Sequence, residues 1–523
     1  MGNILSDGNN KDPEFYVVIA VSVLFSIIFS YYSILRYYSI DATGFDLGIY
    51  SSALFNAMRG SLFYTNLLNG SFLGNHFSPF MFLLLAIFWL YPHNTTILVL
   101  QGFALGLAGI PAYLIFSHFL KDSEYPDISI LLVMLFEVSP ILIGPISFDF
   151  HLMAFLPLFY LFAFYYFLRR SIYKAILFTA LSISLHAFFA AIIILMLIAI
   201  YLQRFWPVSN KTSEPHEFIS LKFLIISSVM IIAYFIIAEH LKGMISGSSI
   251  DLTSLASLLN YVHQQYNIVF SEGMLFNYSG IKIFLIILML IAGGIFSLRY
   301  PILLIPIIPY ILFAFFSMNT AYFTIGYQYT AMISPIILSA AAIGLYKILE
   351  KKYRTYRYDQ IRRFAVLTLI LILIAINFTY SPVSPEPMHI NTGNIASISY
   401  FKINETSEIV FALRATINDS SYILLQNNLY PQFFNFRHAY LLYSYNRVGN
   451  LSDLIRQNFT FIIGDTYNGF YLQNTVVGIS MSSLISYELD HGYGTFLNQD
   501  GIIVIEHGYN GNPHYFNGKS IVS

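Results

Sequence analysis

The chain has 523 residues, of which 57% are hydrophobic, 18% aromatic and only 10% charged, with a mean hydropathy of +0.66. That composition excludes a soluble globular class and identifies a polytopic membrane protein. A formal net charge of -1 supplies no basic footprint for nucleic acid, and the absence of cysteine removes disulfides, thiolate metal sites and cysteine nucleophiles.

The first apolar run, 15–35, is longer than a signal-peptide core and lacks a small-residue cleavage site, so it reads as an uncleaved span. The loop that follows, 37–94, opens with YYSIDATGFDLGIYSSALFNAMRGSLFYTNLLNGSFLGNHFSP and carries Asp41, Asp46, Arg59 and His76 among aromatic residues and glycines. Within 45–58, Leu47, Tyr50, Leu54, Ala57 and Met58 recur at helical spacing. This predicts an amphipathic helix lying in the membrane interface, with Asp46 at its start, where the free N–H groups and the dipole favour a carboxylate. An aspartate there can be a plain helix cap. Ionisable groups at membrane depth are costly and tend to be functional, which gives Asp46 its second reading. The short run 80–90 falls well below the ~20 residues a crossing needs and is expected to form a helix that does not span.

Further apolar runs follow at 95–119, 128–147, 150–168, 172–203, 221–238, 281–297, 301–317, 329–346 and 364–379. The run 172–203 is too long for one crossing and is interrupted by Ser182, Ser184 and His186, so it divides into a helical hairpin and brings the total to about eleven spans. His186 there is expected to hydrogen-bond between helices. Alternate loops hold Lys11, Lys121, Arg169, Arg170, Lys174, Arg204, Lys211, Lys222, Arg299 and the cluster Lys347, Lys351, Lys352, Arg354, Arg357, Arg362 and Arg363. The opposite loops hold only Arg36, Arg59, Lys242 and Lys282 before residue 380. The positive-inside rule therefore places the N-terminus in the cytoplasm and 380–523 outside, in a multi-pass protein of the plasma membrane.

Beyond the turn-rich SPVSPEP, short strand-type runs at 422–425, 459–463 and 502–505 alternate with helical or irregular segments such as 405–416. The expected organisation is a transmembrane domain over 1–379 and a small extracytoplasmic α/β domain over 380–523. Glycosylation sequons at Asn404, Asn418, Asn450 and Asn458 lie in that domain, and others at Asn69, Asn94 and Asn277 lie in loops of the same expected side; Asn210 and Asn377 also match, against the topology.

On this topology Asp46, His76, Asp149 and His151 gather at the outer face, the last two from the turn SFDFH between two spans. The connection 239–280 and the segment NTAYFTIGYQY, with Gln328, can face the same region. Two carboxylates and imidazoles at one membrane face could serve general base catalysis, cation binding or a proton relay. Asp46, Asp149 and His151 are the catalytic candidates, and His76, Arg59 and Gln328 the substrate-binding ones. No P-loop, GxSxG or HExxH motif occurs, so a nucleotide-hydrolysing engine is not expected.

GFDLGIYSSALFNAMRG, FLGNHFSP, LVLQGFALGLAGIPAYLI, FDFH and, near the end, YILLQNNLYPQFFNFR followed by FIIGD resemble the predicted membrane proteins of domain-of-unknown-function family 2079. In layout that family resembles the multi-span glycosyltransferases of the GT-C type. The resemblance implies a GT-C-like fold in which Asp46 takes a proton from an acceptor hydroxyl, and a sugar donor carried on a polyisoprenyl phosphate. A hydroxyl is a poor nucleophile, so the chemistry asks for a carboxylate within hydrogen-bond reach. A divalent cation, Mg2+ or Mn2+, bridging donor phosphate and carboxylates would fit sugar transfer or a phosphotransferase or hydrolase acting on the same lipid. The other reading is a non-catalytic scaffold or carrier that binds a lipid-linked sugar.

The orientation has a direct check. Protease added outside intact cells is expected to digest within 380–523 and spare the cationic loop 347–363; the reverse pattern would invert the topology.

Overall fold

A computed structural model describes residues 13–120, 128–205, 219–247, 272–349, 356–384, 396–442, 459–473 and 479–522. Lys11, Lys121, Lys211, Lys351, Lys352, Arg354, the sequons at Asn210, Asn450 and Asn458, and most of the connection 239–280 lie outside the described residues.

Among the described residues, seven helices are long and apolar enough to cross a membrane: Pro13–Tyr38, Asn94–Leu120, Ile128–Ser147, Leu221–Ser246, Ser279–Ser297, Gln328–Leu349 and Gln360–Tyr380. Four shorter apolar helices, Leu152–Leu168, Ile172–Leu185, Phe189–Phe205 and Pro301–Phe315, occupy the remaining apolar runs of the sequence. The long run divides at His186, whose extended backbone (φ -164°, ψ 137°) ends one helix before the next begins at Phe189. The helix Phe80–Phe88 has nine residues, about 14 Å of length, and cannot cross a hydrocarbon layer of ~30 Å.

Close packing begins at the first span. Ser22, Ser26 and Ser30 form a stripe of small residues one helical turn apart, and Gly102, Gly106 and Gly109 press against it from the helix Asn94–Gly106 and the start of Gly109–Leu120. A methyl group on Gly102 or Gly106 would collide with the backbone nitrogen of Ser30 or Ser26. In lipid, where apolar surface gains nothing by leaving one helix for another, such small-residue contacts are what bring helices together. This contact fixes the end of the first span, and with it Arg36.

The C-terminal region is built on a five-stranded sheet of β1 (Tyr422–Leu425), β2 (His438–Leu441), β3 (Phe461–Asp465), β4 (Tyr493–Gln499) and β5 (Ile502–His507), in the order β2-β1-β3-β5-β4. β1 runs parallel to both β2 and β3, while β5 is antiparallel to β3 and β4. Side chains alternate between two cores: Ile423, Leu425 and Ile463 join the large core shared with the membrane helices, and Leu424, Ile462 and Ile505 pack with Leu484 and Ile485 of the helix Met481–Leu489. Helix Glu405–Thr416 is started by a capping box of Asn404 and Ser407 and buries Ile409, Val410 and Leu413 in the large core.

One expectation from the sequence falls here. Asn94 is fully buried and its Nδ2 donates to the Pro431 carbonyl (2.6 Å), so this sequon has no room for a glycan.

Gly106→Val is expected to force the first span from its neighbour and lower stability by roughly 1–3 kcal/mol, read as an earlier thermal unfolding in detergent. Gly280→Ala, where an added Cβ meets nothing within 4 Å, should leave unfolding unchanged.

Candidate active site

Four residues, 148–151, join the helices Ile128–Ser147 and Leu152–Leu168. Asp149 within them is 4% exposed. Its carboxylate pairs with Arg36 Nη1 (3.4 Å) and accepts from the Thr43 backbone N–H (3.1 and 3.3 Å) and the Thr43 hydroxyl. Arg36 Nη2 donates in turn to the Asp41 carbonyl (3.0 Å). Gln101 holds the turn from both ends, donating through Nε2 to the Asp149 carbonyl (3.1 Å) and accepting at Oε1 from the His151 N–H (2.7 Å). Burial pushes the Asp149 carboxyl up to about 7, against the pull of Arg36 and of the two Thr43 bonds.

Asp46 is half-buried and lies in a backbone conformation that L-residues rarely adopt, φ 58° and ψ -83°. This is close to the strained γ-turn. The sequence placed Asp46 at the head of a helix over 45–58. The helix instead begins at Ile49, is preceded by Gly48 and receives no side-chain cap, so Asp46 does not cap it. Nor does that helix lie on the membrane with one face free, because 49–54 are all buried. The cause is tertiary. Asn427 binds the backbone ahead of Asp46, its carbonyl accepting from Gly44 N–H (2.8 Å) and its Oδ1 from Gly44 (3.1 Å) and Phe45 (3.4 Å). Tyr430 and Leu441 close over Gly44 and Gly48, where a Cβ would collide with them. A turn held this way costs of order 1–3 kcal/mol and persists only where its surroundings over-determine it. Burial first, and the neighbouring Asp149 charge second, push the Asp46 carboxyl up to about 8.

Beside the carboxylates stands a cluster of imidazoles. His76 Nδ1 and His186 Nε2 are 3.1 Å apart. His186 Nδ1 accepts from the Phe188 N–H and His151 Nδ1 from the Met153 N–H, each at 3.1 Å, so in the neutral rings the proton sits on Nε2. Burial and the proximity of His76 hold His151 down to about 3, and the same causes, with Lys242 nearby, hold His186 well below its ordinary value. Tyr50 joins the two groups, its ring edge-on to His151 (5.6 Å) and its hydroxyl within reach of the Asp46 charge.

Asp46, Asp149, His151 and His76 are thus brought together by the first loop, the 148–151 turn and the hairpin. Gln328 is buried nearby with Oε1 unpartnered, next to Tyr327, whose ring lies 5.0 Å from that of Phe148. Arg59 is not brought in. It is exposed at the far end of the helix Ile49–Met58, about 15 Å along its axis, with its guanidinium over the Phe55 ring. The sequence reading missed Arg36, Thr43, His186 and the segment after β1. Only the QNN run behind a strand, polar residues set in an apolar stretch, carried a signal.

The residues do not fit a divalent cation held by protein ligands. Asp149 is already engaged by Arg36 and Thr43, and among the described residues no three His, Asp or Glu side chains are arranged around a common point. The charge beside the carboxylates is supplied by a guanidinium.

Residues 36–504 match the family model described as "Predicted membrane protein (DUF2079)". No curated protein matches. Among solved structures, the chain is similar to ArnT from Cupriavidus metallidurans bound to undecaprenyl phosphate, at 10% identity and TM-score 0.48 over 94% of this chain and 97% of that one. It is also similar to the Archaeoglobus fulgidus oligosaccharyltransferase in the apo form, at 12% identity and TM-score 0.47 over 86% of this chain and 70% of that one. The family match extends from the arginine that ends the first span to the last strand of the sheet, and the chain belongs to the DUF2079 family of predicted membrane proteins.

Proposed function

We propose that the protein is a membrane glycosyltransferase that moves a sugar from a polyisoprenyl-phosphate donor to an acceptor at the extracytoplasmic face of the plasma membrane, with residues 1–379 as the membrane domain and 380–523 as the outer domain. The observation that carries this is the position of Asp46: a strained, half-buried carboxylate with a raised pKa, between the ends of apolar helices and the C-terminal sheet region. A lipid-borne donor reaches such a point from the helices, and a water-soluble acceptor reaches it from the domain.

In this reading Asp46 accepts the proton of the acceptor hydroxyl as its oxygen attacks the anomeric carbon. The bond from that carbon to the phosphate oxygen breaks, and polyisoprenyl phosphate leaves with the electron pair. Asp149 stays paired with Arg36 and holds the loop that presents Asp46. Charge growing on the leaving phosphate meets the N–H group of the neutral His151 imidazole, with the His76 ring beside it.

Asp46→Asn keeps the size and hydrogen-bonding shape of the side chain but cannot accept the proton. Release of polyisoprenyl phosphate should fall by about 10²–10⁴-fold, with donor binding little changed; undiminished turnover would leave a donor-binding carrier. The pH dependence has a definite sign. A base near 8 is mostly protonated at neutrality, so kcat/KM should rise about tenfold per unit below that value and level off above it. Because the folded-state pKa is raised, the stabilisation from protonated Asp46 is complete below about 4 and is lost as pH rises through about 8. Asp46→Asn should therefore unfold at a temperature equal to or higher than wild type above pH 8.

A further inference from the structure

The chain leaves β1 toward β2 on one side and returns to β3 on the other, so the direction of winding reverses between β1 and β3. In open sheets with parallel strands, ligands bind outside the carboxyl ends at such a reversal. Here those ends carry Gln426-Asn427-Asn428 after β1 and Asp465, Tyr467, Asn468 and Tyr471 after β3.

These residues form a built polar site. Asp465 is 5% exposed; its Oδ1 accepts from the Tyr467 N–H (3.0 Å) and Asn468 N–H (3.3 Å), and its Oδ2 from Asn428 Nδ2 (2.8 Å). That bond orients Asn428, 1% exposed, and leaves its Oδ1 buried with no hydrogen-bond partner. A buried acceptor without a partner is costly in a protein that gains nothing from it. Tyr471 takes a hydrogen bond from the Asn427 side chain and lies close enough to sense the charges of Asp149 and Arg36. From the membrane side, Asp41 comes within charge-coupling reach of Asp465.

We infer that this polar cluster at the winding reversal, Asn427, Asn428, Asp465 and Tyr471 with Asp41 within charge-coupling reach, binds the hydroxyl groups of a saccharide, and that the acceptor of the transfer is therefore a glycan. The inference rests on the transferase reading for the word acceptor and on the cluster alone for the word saccharide. Amide and carboxylate oxygens accept from vicinal hydroxyls, the Tyr471 hydroxyl donates, and the tyrosine ring offers a face to the apolar side of a sugar ring. Asn427 binds the backbone of Gly44 and Phe45 on one side and Tyr471 on the other, so a saccharide seated there has its hydroxyls beside Asp46. A lipid-borne donor enters from the helices and has no need of this side.

The test uses the full chain in lipid nanodiscs and an array of immobilised neutral oligosaccharides ending in hexose, N-acetylhexosamine or pentose. Wild type should bind at least one class, and the free sugar should compete. Asn428→Leu and Tyr471→Phe should each weaken that binding by about tenfold or more, the loss of one hydrogen bond to a buried group. Tyr471→Phe removes one half-buried oxygen, so it decides the matter if Asn428→Leu does not fold. No bound saccharide, or binding that both variants keep, overturns the inference. Release of polyisoprenyl phosphate is scored separately. Release that depends on Asp46 without saccharide binding leaves the transferase and removes the saccharide site, whereas binding that depends on Tyr471 without such release does the opposite.

Discussion

The carboxylate of Asp149 is the point on which the site depends. It joins its own turn between two apolar helices to two pieces of chain more than a hundred residues earlier, the end of the first span through Arg36 and the first loop through Thr43. Burying two opposite charges gains little net stability, but removing either one leaves the other uncompensated, at a cost of about 3–5 kcal/mol. Such a pair is better at specifying one arrangement than at adding stability. Arg36 reaches Asp149 only because the serine stripe of the first span lies directly on Gly102 and Gly106. Gln101, next to that contact, holds both sides of Asp149. Helix packing and the placement of the carboxylates are therefore one problem, solved by the same helix, Asn94–Gly106.

The second constraint comes from the other end of the chain. Gln432 donates to the Tyr37 carbonyl (3.0 Å), Asn94 to the Pro431 carbonyl, and Asn427 fixes Gly44 and Phe45. The segment between β1 and β2 thus acts as a clamp on the first loop, and Asp46 is held in its strained turn by residues some 380 positions away in sequence. A carboxylate held away from solvent in this way pays for its charge, which is why its proton affinity rises.

Much of this was legible in the sequence, and the misses share a cause. Apolar runs long enough to span report burial in lipid directly, so the helices of the apolar runs, the break at His186 and the short helix Phe80–Phe88 could be read from composition and length; of the about eleven spans expected, seven helices among the described residues are long enough to cross and four are shorter. The short apolar runs at 422–425, 459–463 and 502–505 marked the strands Tyr422–Leu425, Phe461–Asp465 and Ile502–His507, the second displaced by two residues and the third longer by two. What periodicity could not see is where a regular pattern is interrupted from outside. Leu47 and Tyr50 continue the helical spacing across Gly48, yet the backbone is non-helical at Phe45 and Asp46 and the α-helix begins only at Ile49, because Asn427 and Tyr430 bind and crowd the glycines before it. Asn94 has a glycosylation motif, but a proline carbonyl 337 residues away occupies its amide. His186 read as a helix-packing residue because nothing near it in sequence hints at His76.

The imidazoles complete the electrostatic argument. His93, His151 and His186 each stand at the start of an apolar helix, and in each the Nδ1 accepts the backbone N–H two residues on. A ring that accepts at Nδ1 must stay neutral there, and burial lowers the proton affinity of all three. The caps therefore keep their form through the physiological range. With these three imidazoles neutral, the buried carboxylates Asp149 and Asp46, both raised toward neutrality, titrate as a coupled pair. Asp149 has a cation to hold its charge and Asp46 has none. The first ionisation therefore belongs mainly to the carboxylate that keeps the fold of the loop, and the second to the one that remains available to take a proton.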